Sequence, residues 1–420
     1  MSDNTDPVLA RLTSLHPRLM DLSLDRLHGL LAKLGNPEQR LPPIVHVAGT
    51  NGKGSTCAFL RAIGEAAGWR VHVFTSPHLV RFNERFRVAG AIVSDAVLNA
   101  TMAHIEAANA NTPITLFEVI TAAAFSMFVA EPADLCVLEV GLGGRGDATN
   151  IVPAPAATAI ASISLDHKEL LGDTLAAIAG EKAGIMKPGV PVAIGAQPPE
   201  ALAVLLDRAA QVGAPVLLRD RDWTIEPYRF VDARGSIALP ALGLPGLHQW
   251  DNAGIAIAAL RASGLPVPDA AFGPGVAAAE WPARLQRLHG RVAALLPPDW
   301  ELWLDGGHNP GAGEALAEHV RGWGDRPVHL VVGLNRAKDG GGFLRPLMPH
   351  ATSVWAIAEA EQHASMPVEE VIAASGGIAR PGPTLIAALA ALAALPRATP
   401  ARVLICGSLY LAGEVLKADG

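Results

Sequence analysis

The sequence predicts an α/β protein made of two units, each a mostly parallel sheet covered by helices, and three observations carry that prediction. Short apolar, β-branched runs alternate with Ala/Leu-rich stretches of helical period along most of the 420 residues. The runs are apolar at nearly every position, as in strands buried on both faces. Glycine-rich and polar motifs fall where the runs end, which is where open α/β sheets hold their ligands.

Taken in order, the strands of the first unit are expected at IVHVAG (44–49), RVHVFTS (70–76), DLCVLEVG (134–141), ATAIASISLD (157–166) and VPVAIGA (190–196). Between them, STCAFLRAIGEAAG (55–68) and LFEVITAAAFSMFVAE (116–131) carry helical periodicity. Residues 223–242, WTIEPYRFVDARGSIALPAL, break the rhythm and read as an antiparallel hairpin insert. A boundary falls near WPARLQRLHGR (281–291), which divides the chain into domains 1–287 and 288–420. After it the rhythm restarts, with four strands at ELWLDGG, PVHLVVGLN, TSVWAIAEA and ARVLICGS. Two sheets with facing polar ends would enclose a cleft.

Half the residues are hydrophobic, so a large core can be buried. Lys+Arg number 33 against Asp+Glu 40, a net charge of −7, which is the wrong bias for a nucleic-acid partner. Cys57, Cys136 and Cys406 lie far apart with no CxxC, so they read as apolar fillers in a reducing compartment. The start, MSDNTDPVLARLTSLHP, lacks the apolar stretch of a signal peptide, and TLIAALAALAAL (384–395) is too short to span a bilayer. No membrane association is expected; a cytoplasmic monomer is.

The chemistry starts at HVAGTNGKGSTCAFL (46–60). An ordinary phosphate loop keeps four residues between its first glycine and Gly-Lys-Ser/Thr. Here only Thr50 and Asn51 separate Gly49 from Gly52-Lys53, and Gly54 precedes Ser55-Thr56. Backbone amides of such a turn, leading into a helix, still converge on an anion. Lys53 can reach the β/γ-phosphates, and Ser55 or Thr56 can help hold Mg²⁺. The loop alone does not separate kinase, GTPase and ligase.

GLGGRG (141–146) satisfies G-x-G-x-x-G directly after a strand, and Asp166 ends the next expected strand. A dinucleotide fold would need a helix at the third glycine, but DATNIVPAPAA follows. Each proline in a helix interior costs about 3 kcal/mol, so NAD binding is set aside. Glu139 and His167, at neighbouring strand ends, suit a divalent metal that keeps few protein ligands. Lys182 in GEKAGIMKPG, taken alone, is a solvated Glu-Lys pair on a helix. LDGGHNPGAGEAL places Asp305, His308 and Asn309 on a glycine turn that could bind ribose or phosphate, or merely cap a helix.

HVAGTNGKGST, TSPHLVRFNERFRVAG, LEVGLGGRGDATN, SLDHKELLG, GEKAGIMKPG and LDGGHNPGA, in this order, resemble the folylpolyglutamate synthase/dihydrofolate synthase family, bacterial bifunctional type, within the Mur ligase superfamily. The likeness runs from about Leu24 to CGSLYLAGEVL, and the shortened loop is that superfamily's form. It implies an N-terminal Mur-ligase-type ATPase domain with a smaller C-terminal Rossmann-like domain. It also implies an ATP-dependent ligase that adds L-glutamate to dihydropteroate and to folates through an acyl phosphate. Carried over by motif, Gly49, Thr50, Asn51, Gly52, Lys53, Gly54, Ser55 and Thr56 bind ATP, with Asn252, Arg284, Asp305 and His308 closing over the nucleotide. Ser76, Glu139 and His167 hold Mg²⁺, in two sites, the second helped by a carbamylated Lys182. Lys53, Lys182 and His167 form the catalytic set. Phe117, Glu118, Gly146, Asp147 and Ala148 face the pterin, Phe117 by stacking and Asp147 by hydrogen bonding. Two departures stand out: Gly306-Gly307 where the family often has x-Ala, and a glycine-rich continuation after Lys338-Asp339. A Mur-type ligase of peptidoglycan precursors is the alternative. It is less expected because such ligases carry a separate domain ahead of the loop.

Overall fold

The computed structural model describes residues 23–324, 326–396 and 400–420; the N-terminal stretch read above for a signal peptide lies outside them. The chain forms two compact units, one of residues up to Ile163 with Asp173–Gly243 and Asp251–Ala279, the other of Ser164–Gly172, Leu244–Trp250 and Glu280–Gly420.

The first unit is built on eight strands: β1 (Ile44–Ala48), β2 (Val71–Phe74), β3 (Phe86–Val88), β4 (Ala91–Ile92), β5 (Leu135–Glu139), β6 (Ala157–Ile160), β7 (Val192–Ile194) and β8 (Val216–Leu218). Their spatial order is β4-β3-β2-β5-β1-β6-β7-β8, and only the β2–β3 and β3–β4 pairs are antiparallel. β1 and β5 are buried at all five positions, which is why their sequences show no polar alternation. Strand β6 stops at Ile160, six residues short of the expected end at Asp166. Its neighbours have run out there, since Ile160 pairs with Ala48, the last residue of β1, and with Ile194, the last of β7. A β-branched run without a partner strand has no ladder to join, and 161–166 become a loop.

The insert is a three-stranded antiparallel sheet rather than a single hairpin: β9 (Trp223–Glu226), β10 (Arg229–Asp232) and β11 (Gly235–Ala238). Its turns use left-handed backbone at Tyr228 (φ 70°) and Gly235 (φ 116°). Trp223 stacks on Phe230 across the pair, with ring centroids 5.9 Å apart.

In the second unit β12 (Gln286–Leu288), β13 (Glu301–Leu304), β14 (Val328–Val332), β15 (Ser353–Ala356), β16 (Arg380–Pro381) and β17 (Arg402–Cys406) lie in the order β12-β13-β17-β14-β15-β16. The four expected strands form its centre. The two further strands, at the edges, are three and two residues long, too short to leave a pattern in sequence. The helix Leu385–Ala393 turns Leu385, Ala388, Leu389 and Leu392 inward, and no helix among the described residues is long and apolar enough to cross a membrane. Cys57, Cys136 and Cys406 are free and buried.

The helix after β1, Lys53–Ala66, packs tightly against Asp269–Ala278. A Cβ on Gly275 would sit 2.5 Å from Ile63 Cα and 2.8 Å from its N, so only glycine lets the two backbones approach. Gly275→Ala is therefore expected to destabilise the first unit by about 1–3 kcal/mol, read as a lower urea midpoint.

Candidate active site

Four residues join β1 to the helix Lys53–Ala66, and their backbone is pinned. The Thr50 and Asn51 N–H groups both donate to the Ser162 carbonyl, at 2.8 and 3.1 Å. Gly49 lies against Ala161, whose Cβ stands 2.8 Å from where a Gly49 side chain would begin. Gly52 has φ 89°, and a Cβ there would strike the Asn252 side-chain oxygen, so the loop needs glycine and Asn252 sits against it. The first intrahelical donor is Thr56, bonded to the Gly52 carbonyl at 2.8 Å. The N–H groups of Lys53, Gly54 and Ser55 have no acceptor within the helix and open at its positive end. Within residues 49–56 the amides of Thr50 and Asn51 are spent on Ser162, and those of the helix start are not. Lys53 Nζ folds back onto the Gly49 and Thr50 carbonyls at 3.2 and 3.4 Å. Ser55 Oγ and Thr56 Oγ1 are buried with no hydrogen-bond partner among the described residues.

Glu139 stands beside this loop. It pairs with Val47 in the β1–β5 register, and the Ser76 N–H donates to its Oε2 at 3.1 Å. Burial pushes the Cys57 thiol well above its usual value, the Glu139 charge adds to this and the Lys53 charge opposes it, so both charged groups lie close to the same turn of helix. A buried carboxylate, a neighbouring serine and an orphaned buried hydroxyl at Ser55 are hard oxygen donors, the type Mg²⁺ prefers, and Mg²⁺ takes few of them from protein. His167 belongs to the segment Ser164–Gly172 of the second unit, where its Nε2 is 3.1 Å from Lys338 Nζ. Among the described residues no three His, Cys, Asp or Glu side chains converge as a metal cluster.

Strand β5 runs on into the turn 141–147, and no α-helix follows it, only the 3-10 turn Ala148–Ile151. Phe117 packs directly against Gly141, where a Cβ would collide with the ring, and tilts against Phe74 at 6.0 Å. Gly144 abuts the Glu181–Lys182 backbone, and the Arg145 N–H donates to the Glu181 carbonyl at 2.9 Å. Lys182, the last residue of the helix Leu175–Lys182 and 4% exposed, is thereby held against the turn; it is not the solvated partner of Glu181 that its spacing suggested. Glu118 closes a capping box with Thr115 and pairs with Arg26 at 3.3 Å, which makes it a buried anchor behind Phe117. Asp147 is 4% exposed, and its oxygens accept from Leu142 N at 2.9 Å, Thr149 N at 3.0 Å and Thr149 Oγ1 at 2.5 Å. Its visible work is to hold the turn that carries Gly146 and Ala148.

In the second unit the turn after β13 collects a polar group. Asp305 accepts from Leu285 N at 2.8 Å and Gly307 N at 2.7 Å; burial pushes its carboxyl up, while the Arg284 charge and these donors oppose the rise. A Cβ on Gly306 would lie 3.0 Å from Arg284 Nη1, so the glycine lets the guanidinium approach. His308 Nδ1 is 2.9 Å from the Gly306 carbonyl. Asn309 does cap the following helix, accepting from Ala312 N at 3.0 Å, and it also donates to Asp166 at 3.1 Å. Asp166 gathers Lys338 Nζ at 2.5 Å and His308 Nε2 at 3.5 Å. Burial alone would raise its carboxyl, but His308 and Lys338 hold it well below the usual range. This Asp166–Lys338 link spans 172 positions of sequence, and no local pattern announces it.

A glycine-rich loop that opens a helix at the end of a parallel strand, with an acid beside it, marks an α/β protein with an anion-binding loop of the nucleotide-binding kind. The model of the dihydrofolate synthetase C-terminal domain matches residues 292–418. The chain is 39% identical over 341 residues to the dihydrofolate synthase/folylpolyglutamate synthase of Escherichia coli, covering 80% of this chain and 77% of that one. It superposes on the structure of E. coli FolC in complex with DHPP and ADP with a TM-score of 0.88 at 34% identity, over 100% of this chain and 99% of that one. The Yersinia pestis bifunctional folylpolyglutamate synthase/dihydrofolate synthase complexed with AMPPNP and Mn ion gives a TM-score of 0.88 at 33% identity, over 100% and 99%. The chain belongs to the dihydrofolate synthase/folylpolyglutamate synthase family.

Gly52→Ala puts a side chain at φ 89° and into Asn252. It is expected to weaken ADP binding, measured by calorimetry, by about tenfold or more, since strained left-handed backbone costs on the order of 1–3 kcal/mol.

Proposed function

We propose that this chain is an ATP-dependent amide ligase that adds L-glutamate to dihydropteroate and to tetrahydrofolates. The observation that carries the reading is the helix start at Lys53–Ser55, with its unspent N–H groups and orphaned hydroxyl beside Glu139, in a chain of this family. A carboxylate is a poor electrophile. Its oxygen attacks the γ-phosphorus of ATP, the bond to ADP breaks, and an acyl phosphate results. The amine of glutamate then forms the amide while the C–O bond to phosphate breaks. Charge neutralisation and positioning dominate such transfers.

In this reading Lys53 leaves its loop carbonyls for the phosphates, and Gly52, Gly54 and Ser55 line the cradle. Ser55, Ser76 and Glu139 would hold Mg²⁺, which would spread the phosphate charge, and His167 would serve a second ion. By the family's motifs, Asn252, Arg284, Asp305 and His308 bind the nucleotide. Phe117 and the turn bearing Gly146, Asp147 and Ala148 receive the pterin, with Glu118 behind them. Lys182, once carbamylated, would be a long carboxylate able to help hold a second metal. The enzyme works as a cytoplasmic monomer.

The deciding experiment compares ADP release with dihydropteroate, tetrahydrofolate and a cell-wall precursor, each with glutamate and Mg²⁺. Turnover with the cell-wall precursor alone would overturn the reading. Lys53→Ala is expected to abolish ADP release with every acceptor while leaving the melting temperature nearly unchanged. Lys182→Ala is expected to lose most activity and regain part of it with acetate or another short carboxylate, and bicarbonate depletion of the unmodified chain should mimic the loss.

A further inference from the structure

The first unit contains a buried polar chain that the mechanism above does not use. His46, in the middle of β1, and Thr149 are both fully buried, and His46 Nε2 lies 2.8 Å from Thr149 Oγ1 although 103 positions separate them. The Thr149 hydroxyl in turn meets Asp147 Oδ1 at 2.5 Å. A hydroxyl has one proton, and here a carboxylate that also takes the Thr149 and Leu142 N–H groups claims it. Burial pushes the Asp147 carboxyl up, but the donors from Thr149 and Leu142 oppose the rise. With Asp147 ionised, the hydroxyl accepts from His46, and the imidazole is the Nε2–H tautomer. Running the chain the other way would need a protonated Asp147 facing two backbone N–H donors and would bury an imidazole N–H at Nδ1, which has no partner among the described residues. Burial, helped by the Lys187 charge, pushes His46 down to about 3, so the ring stays neutral.

We propose that His46 and Thr149 are positioning residues for acceptor binding: through Asp147 they fasten the 141–147 turn to the strand that ends in the phosphate loop. His46 lies on β1, whose last residue, Ala48, precedes Gly49. One strand thus carries the nucleotide loop at its end and, from its middle, holds the turn against which Phe117 packs. The proposal deepens the reading above and rests on it for the identity of the acceptor.

The test uses Thr149→Val, which keeps the shape and removes the hydroxyl, and Thr149→Ser, which keeps the hydroxyl. Removing one partner of a buried hydrogen bond leaves the other unsatisfied, so Thr149→Val should raise KM for dihydropteroate or tetrahydrofolate by about tenfold, with KM for ATP within about twofold. Thr149→Ser should stay within about threefold of the unmodified chain. Backbone amide exchange at Gly141 and Leu142 should quicken in the valine variant and not in the serine variant, with no substrate present. If the valine variant does not fold, His46→Leu cuts the chain one link earlier and should give the same split. Equal rises in both KM values, no effect of valine, or no rescue by serine would overturn the proposal. Failure of the unmodified chain to bind pterin acids would instead count against the functional reading, and amide exchange would still judge the relay.

Discussion

The first unit's site depends on one constraint: a strand buried on both faces must become a helix within four residues and still leave that helix's first N–H groups unspent. The chain meets it by handing the Thr50 and Asn51 amides to the Ser162 carbonyl and by turning at Gly52 in left-handed backbone. Side chains would obstruct both moves. A Cβ at Gly49 meets Ala161, and one at Gly52 meets Asn252. The donors of Lys53, Gly54 and Ser55 are left at a helix end whose dipole favours anions.

Within each unit, buried acids keep their places through backbone donors. Glu139 takes the Ser76 N–H, Asp147 takes those of Leu142 and Thr149, and Asp305 takes those of Leu285 and Gly307. Each bond fastens the backbone of a turn or of a segment beside it, so a carboxylate costly to bury becomes the fastener of a loop. In a chain of net charge −7, these three acids are thus satisfied by backbone donors, and the amides of Lys53, Gly54 and Ser55 stay available to an anion.

Much of this is legible in the sequence. Apolar runs and glycine-rich ends marked β1, β5 and the phosphate loop, because double burial and close backbone approach each demand particular residue types. Pro153 and Pro155 excluded the dinucleotide reading of GLGGRG, and the chain there forms only turns and Ala148–Ile151. Illegible were features set by partners distant in sequence. The early end of β6 depends on where β1 and β7 stop. The edge strands β12 and β16 are too short to show a period. Lys182 looked solvated from its Glu-Lys spacing, yet the backbone of Gly144 covers it.

The sequence by itself determined the fold class, the glycine-rich loop that opens a helix after β1 and the order of polar motifs along the chain. Those follow from local rules: periodicity, glycine's freedom at positive φ, and proline's exclusion from helices. Only the tertiary structure decided which amides of the loop remain available, that Asp166 joins Lys338, and that His46 reaches Asp147 through Thr149. The reason is physical. A buried polar group must find a partner wherever packing brings one, and that partner can be a hundred or more residues away.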